Sequence, residues 1–135
     1  MPSGCAPAFI AQFAADDIAH DESPVLYGDG TQTRDFTHVD DIVRGLELAA
    51  THELDGVYNP GTGESYEFNT VVEMLNDELG TDIDPEYVEN PIPESVYVSD
   101  TCADAEKMAD ATRWEPKISF SEGLRRVCRA YEDGP

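Results

Sequence analysis

Arg34 is the side chain whose type and setting most directly suggest chemistry. It follows a Gly28-Asp29-Gly30 turn and opens the run Arg34-Asp35-Phe36-Thr37-His38-Val39, whose polar–apolar alternation predicts a half-buried strand. The chain carries 8 Lys plus Arg against 29 Asp plus Glu, so an arginine placed inward needs an anion. A neighbouring carboxylate, Asp29 or Asp35, is one source. The phosphate oxygens of a ligand are the other, because a guanidinium binds them bidentately. Charge-assisted hydrogen bonds of this kind contribute about 1.5–3 kcal/mol each.

The other reactive side chains make weaker constellations. Cys5, Cys102 and Cys128 are widely spaced, with no Cys-x-x-Cys pair, and His20, His38 and His52 do not sit at metal-ligand spacing with them. The cysteines read as small, buried or half-buried thiols of a reducing compartment, and no zinc site is expected. Asp35, Phe36, Asp41, Asn59 and Asp104 read as structural, their short polar side chains meeting free backbone donors at turns and helix starts. His38, just before a helix, reads as a packed histidine and Trp114 as a plug under the last helix. Adjacent carboxylates are frequent in so acidic a chain, and none is placed for acid–base work.

The net charge is −21 over 135 residues. Clustered cations, which a nucleic-acid backbone or an anionic membrane would require, are missing. No apolar run reaches the length of a membrane span, and no signal peptide is recognisable at the start. The acidic residues are dispersed and form no tail. That dispersion suits a cytoplasmic protein adapted to high salt, where the screening length shrinks to about 3 Å at molar concentration.

The elements that must position these residues alternate. Residues 7–20 predict a helix with Phe9, Ile10, Phe13 and Ala14 on one face. Val25-Leu26-Tyr27 predicts a strand. A helix over 40–53 gathers Ile42, Val43, Leu46, Ala49 and Ala50 on one stripe, with Asp40 and Asp41 in the first turn, where the helix dipole favours carboxylates. Val57-Tyr58-Asn59 predicts another short strand. A helix from Asn69 or Thr70 to Leu79 has a Thr70–Glu73 capping box and stops at Gly80. Residues 86–90 alternate as a strand, residues 103–112 form a short helix with Ala105, Met108 and Ala109 inward, and 114–120 is an extended link. A last helix begins at a Ser119–Glu122 capping box and carries Leu124, Val127, Cys128 and Tyr131. The class is α/β, about five helices with short strands, in one domain spanning 1–135.

The span Pro24 to Ile42, PVLYGDGTQTRDFTHVDDI, resembles the extended short-chain dehydrogenases/reductases, and within them the NAD-dependent sugar-nucleotide epimerases and dehydratases of the UDP-glucose 4-epimerase type. VYNPGTG over 57–63, Ala103-Asp104 with Lys107 and Trp114-Glu115-Pro116, and SFSEGLRRV over 119–127 agree with that family in order and spacing. The family's Gly-x-x-Gly-x-x-Gly loop and its catalytic Tyr-x-x-x-Lys pair do not occur in this sequence. Met1-Pro2-Ser3 looks like the middle of such a protein. The resemblance therefore implies the C-terminal, substrate-binding part of an epimerase-like enzyme, with no complete Rossmann half, no catalytic residues and no NAD held by this chain alone.

It further implies that Arg34 holds the diphosphate of a nucleotide sugar, a UDP-sugar in the first instance. It places Leu26 and Tyr27 where backbone groups read the edge of the uracil base. Cys5 and Ala6 stand near an Asn-Leu pair of the family, and Glu94-Ser95-Val96-Tyr97-Val98-Ser99 stands where many epimerases have Arg-x-Gly-Asp-Val-Arg, so those contacts differ here. The alternative to a substrate-binding region is a non-catalytic remnant or an interaction module. Such a chain would form a homodimer or dock to a Rossmann-half partner.

Overall fold

Phe68, Val71, Val72 and Leu75 recur at helical spacing, and Leu124 and Cys128 do so near the end of the chain; these two stripes meet to make the core. The computed structural model describes residues 14–132, and side chains through residue 130. Its helices are α1 (described over residues 14–19), α2 (Val39–Thr51), α3 (Phe68–Leu79), α4 (Glu106–Thr112) and α5 (Phe120–Glu132). The short strands are β1 (Val25–Tyr27), β2 (Thr33–Arg34), β3 (Tyr66–Glu67) and β4 (Glu86–Val88). β1 pairs parallel with β4, Leu26 opposite Tyr87, and β2 pairs antiparallel with β3, Arg34 opposite Tyr66. This is the α/β arrangement of helices and short strands that the sequence predicts.

Ala14, Ala15 and Ile18 of α1, Leu26 of β1, Phe36 and Phe120 complete the core around α3 and α5. Phe36 stacks on Phe120 with ring centroids 4.8 Å apart. Helix α3 starts two residues before the expected capping box, and Thr70 lies inside it. The amides of Phe68 and Asn69 donate instead to the carbonyls of Gln32 and Gly30, so the first turn is satisfied by backbone and needs no side-chain cap. Gly80 ends the helix in the left-handed conformation, φ 67°, as expected.

Three further expectations are corrected. The strand over 34–39 shrinks to Thr33–Arg34, because the Asp35 carboxylate is drawn to the amides of Thr62, Gly63 and Ala103 and Phe36 turns into the core. Val57-Tyr58-Asn59 forms no strand: among the described residues its backbone makes no ladder bond, and the Val57 carbonyl accepts from Lys107 Nζ at 2.8 Å. Ser119 does cap α5 through the Glu122 amide, but the Glu122 carboxylate goes to Arg125 and Arg126 and does not reach back. Cys128 is buried, Cys102 is exposed against expectation, and Cys5 lies outside the described residues, as do residues 7–13 of the first helix and the side chain of Tyr131.

Helix α2 is held by polar contacts. Asp41, 0% exposed, accepts from the Lys117 amide at 3.1 Å, the Ile118 amide at 3.1 Å and Arg44 Nη1 at 2.8 Å. Trp114 donates its indole N–H to the Asp41 carbonyl at 2.9 Å and sits against Gly45, where an added Cβ would lie 3.3 Å from the indole nitrogen. Trp114 is buried as expected, but its contacts are with α2, where the sequence reading placed it under the last helix.

Candidate nucleotide-sugar site

Arg34 is buried, and its partners are carbonyls. Nη1 donates to the carbonyls of Thr33 at 2.6 Å and Ser99 at 3.1 Å, and Nη2 to the carbonyl of Val98 at 2.7 Å. The guanidinium lies between the rings of Phe68 and Tyr97, 5.7 and 5.6 Å from their centroids. Among the described residues neither Asp29 nor Asp35 pairs with it. Asp29 bonds Thr31, which holds its carboxyl below the usual range, and Asp35 serves the glycine turn. Among the described residues Arg34 thus has no carboxylate partner, and its Nε makes no hydrogen bond.

Strand β2 is wedged between β3 and the 99–101 segment: the Thr33 amide donates to Ser99, the Thr101 amide to Thr33, and Thr33 Oγ1 to Asp100 Oδ1. Arg34 ties this segment down, so the stretch lacking the arginines of many epimerases is the one that supplies its acceptors. Tyr97, Phe68 and the buried Gln32 belong to this neighbourhood and were not recognisable in the sequence. A cation–ring approach and a side chain reaching back to a turn carbonyl depend on three-dimensional register, which no local pattern records.

On β1 the Pro24 carbonyl and the Gly28 amide both bond to β4. In a parallel ladder every second residue directs both backbone groups to the same neighbour. The Leu26 backbone therefore faces β4, and its side chain is core. The Tyr27 backbone faces the other edge, where its carbonyl accepts from Gln32 Nε2 at 3.0 Å. Of the two base-reading candidates, the geometry leaves Tyr27 on the open edge.

A cleft of about 340 Å³ lies elsewhere, lined by Gly61, Thr62, Gly63, Asp104, Glu106 and Trp114 among others. Its walls bring carboxylates and no cation, so it is poorly suited to a diphosphate. Its glycine turn is already filled by an anion: the amides of Thr62 and Gly63 donate to Asp35 at 3.1 and 2.9 Å. The other glycine turn, Gly28-Asp29-Gly30, leads into β2. Gly30 is required there by φ 77° and by Asn69, whose Oδ1 would lie 2.2 Å from a Cβ. No described glycine turn opens onto a helix start with free amides, so these residues do not fit a dinucleotide pyrophosphate, and no chemistry is assigned to NAD here. His38 caps α2 by accepting from the Asp40 amide at 3.0 Å, the packed role expected of it.

The fold, the Arg34 setting and the motif order define the class: an extended short-chain dehydrogenase/reductase of the sugar-nucleotide epimerase/dehydratase kind, represented by part of its length. Residues 5–127 match the GDP-mannose 4,6 dehydratase family, and the chain belongs to it. It is 37% identical over 111 residues to a UDP-glucuronate 4-epimerase of Thermodesulfobacterium geofontis, covering 80% of this chain and 33% of that protein. It is 32% identical over 120 residues to a putative UDP-glucose 4-epimerase of Methanocaldococcus jannaschii, covering 89% and 38%. The Thermotoga maritima UDP-glucose 4-epimerase, solved with UDP-glucose, superposes with a TM-score of 0.81 at 29% identity over 92% of this chain and 39% of that one. The Bacillus anthracis dTDP-glucose 4,6-dehydratase, solved with NAD, superposes with a TM-score of 0.82 at 28% identity over the same shares. The chain thus spans a little over a third of the length of these relatives. No described helix is long and apolar enough to cross a membrane.

Proposed function

We propose that this chain is the substrate-binding region of an NAD-dependent nucleotide-sugar epimerase, gripping the nucleotide diphosphate through Arg34 and meeting the base along the open edge of β1 at Tyr27. The carrying observation is a buried guanidinium that is oriented by three carbonyls and two rings yet has no carboxylate partner among the described residues. In so acidic a chain, an uncompensated buried cation is costly unless an anion arrives to pair with it. Leu26 contributes by fixing β1 in the core. The chain's part in turnover is to hold the sugar for a reaction whose redox groups lie elsewhere.

Calorimetric titration with UDP-glucose, UDP and UMP tests this. The wild-type chain binds UDP more tightly than UMP. Arg34→Lys keeps the charge but loses the planar fork, and weakens UDP by about tenfold or more, in line with the loss of one charge-assisted bond. Binding of UDP that is equal in wild type and in a folded Arg34→Lys chain refutes the site.

A further inference from the structure

The segment 93–99 reverses the usual placing of side chains. Val96 and Val98 stand 67% and 56% exposed, while Tyr97 between them is half-buried. The backbone sets this reversal. The amides of Val96 and Tyr97 both donate to the Pro93 carbonyl at 3.0 Å, and the carbonyls of Val98 and Ser99 accept from the Arg34 guanidinium. Tyr97 is thereby turned onto Arg34, its ring centroid 5.6 Å from the guanidinium carbon. Its hydroxyl makes no hydrogen bond among the described residues. A ring needed only to cover the cation could be a phenylalanine, as Phe68 is. A phenol adds a polar tip that a partner must satisfy.

A diphosphate brings two charged groups, and the free edge of one guanidinium meets one of them. The segments around Arg34, residues 25–36, 66–69 and 93–101, contain no second Lys, Arg or His. They contain five carboxylates, those of Asp29, Asp35, Glu67, Glu94 and Asp100. A second phosphate held among them needs a neutral donor. Two neighbouring side chains are already committed: the Thr33 hydroxyl donates to Asp100, and Gln32 Nε2 donates to the Tyr27 carbonyl. The Tyr97 hydroxyl is uncommitted and belongs to a ring already seated on the cation.

We infer that Tyr97 is a second ligand-binding residue of this site, its hydroxyl donating to the phosphate that Arg34 does not hold, and that it sets a preference for a nucleoside diphosphate over a monophosphate. Its ring meanwhile keeps the guanidinium in place. This assignment rests on the proposed binding of a nucleotide diphosphate at Arg34.

Calorimetric titration of the full 135-residue chain with UDP and with UMP tests it through three variants. Tyr97→Phe keeps the ring on Arg34 and removes only the hydroxyl. UDP binding weakens about tenfold and UMP binding does not change, so the preference for UDP shrinks by the same factor. Tyr97→Leu removes the ring as well and weakens both nucleotides. Ser99→Ala leaves the Ser99 carbonyl on Arg34 and leaves the preference as it was. Circular dichroism verifies that each variant is folded. An unchanged preference in Tyr97→Phe, an equal loss of both nucleotides in that variant, or a preference that shrinks in Ser99→Ala instead overturns the inference. Arg34→Lys separates the two readings. If it weakens UDP while Tyr97→Phe does not, the role of Tyr97 alone fails. If wild type and Arg34→Lys bind UDP equally, the Arg34 reading fails and the role of Tyr97 fails with it.

Discussion

Replacing Asp41 by Asn changes one atom type at a fully buried position and removes a charge. In the native chain both carboxylate oxygens face donors only: Oδ1 meets Arg44 Nη1 at 2.8 Å and the Lys117 amide at 3.1 Å, and Oδ2 meets the Ile118 amide at 3.1 Å. A side-chain amide offers one acceptor oxygen and turns an N–H₂ toward at least one of these donors. The loss of one or two charge-assisted bonds, with a buried donor left unmet, costs about 3–5 kcal/mol. That is a large share of the roughly 5–15 kcal/mol that holds a domain together. Urea unfolding in molar KCl measures it: with a slope of about 2 kcal/mol per M, the midpoint falls by roughly 2 M at unchanged slope. The pH dependence supplies a second reading. Burial, the largest influence on Asp41, pushes its pKa up, but the Lys117 amide, the Arg44 guanidinium and the Ile118 amide together outweigh it and hold the carboxyl below its ordinary value of 3.8. The stability Asp41 contributes is therefore complete above that ordinary value and is lost as the pH falls through the lower, folded value. Asp41→Asn lacks this component of the acid limb. A midpoint shift below about 0.5 M, or an acid limb as steep in the variant as in the wild type, refutes the argument that this carboxylate is what seats α2.

Raising KCl from 0.1 to 2 M raises the melting temperature, because screening relieves the repulsion among charges that sum to −21; a flat or falling melting temperature in differential scanning calorimetry contradicts this. Gly30→Ala lowers stability by about 1–3 kcal/mol, since its φ of 77° and the Asn69 side chain 2.2 Å from a new Cβ both oppose it; chemical denaturation reads the loss. Iodoacetamide labels Cys102 in the native protein and Cys128 only after unfolding, as their exposure requires; peptide mass spectrometry detects the difference.

The sequence disclosed the elements whose determinants are local. The Val25–Tyr27 strand, the glycine stop of α3 and the Ser119 cap are written in adjacent residues, and the structure has each of them. The missed features depend on partners distant in the chain. Thr70 fits the pattern of a cap, but the helix starts before it, at Phe68, where the amides of Phe68 and Asn69 meet the carbonyls of Gln32 and Gly30, nearly 40 residues earlier. The stripe of α2 was legible as a stripe, and its direction was not: periodicity says that apolar residues share a face, while the seating of the helix is decided by a carboxylate 76 residues from the amide it accepts. The site was half legible in the same sense. An inward Arg34 was legible from its setting, but most of the carbonyls and rings that aim it come from 97–99 and from Phe68, which no spacing rule connects to it.

These distant contacts converge on one short span. Between Arg34 and Asp41 the chain supplies the buried cation, the Asp35 carboxylate that closes the 61–63 turn onto Ala103, the Phe36 ring stacked in the core, the His38 cap of α2 and the Asp41 anchor of the 117–118 backbone. The proposed ligand contact stands at one end of this span, and α2 begins at the other. With Phe36 and Asp41 buried between them, a displacement of α2 has few soft dihedrals in which to dissipate before it reaches β2. A variant that loosens α2, such as Asp41→Asn, is therefore expected to bind UDP more weakly than the wild type, read by the same calorimetric titration.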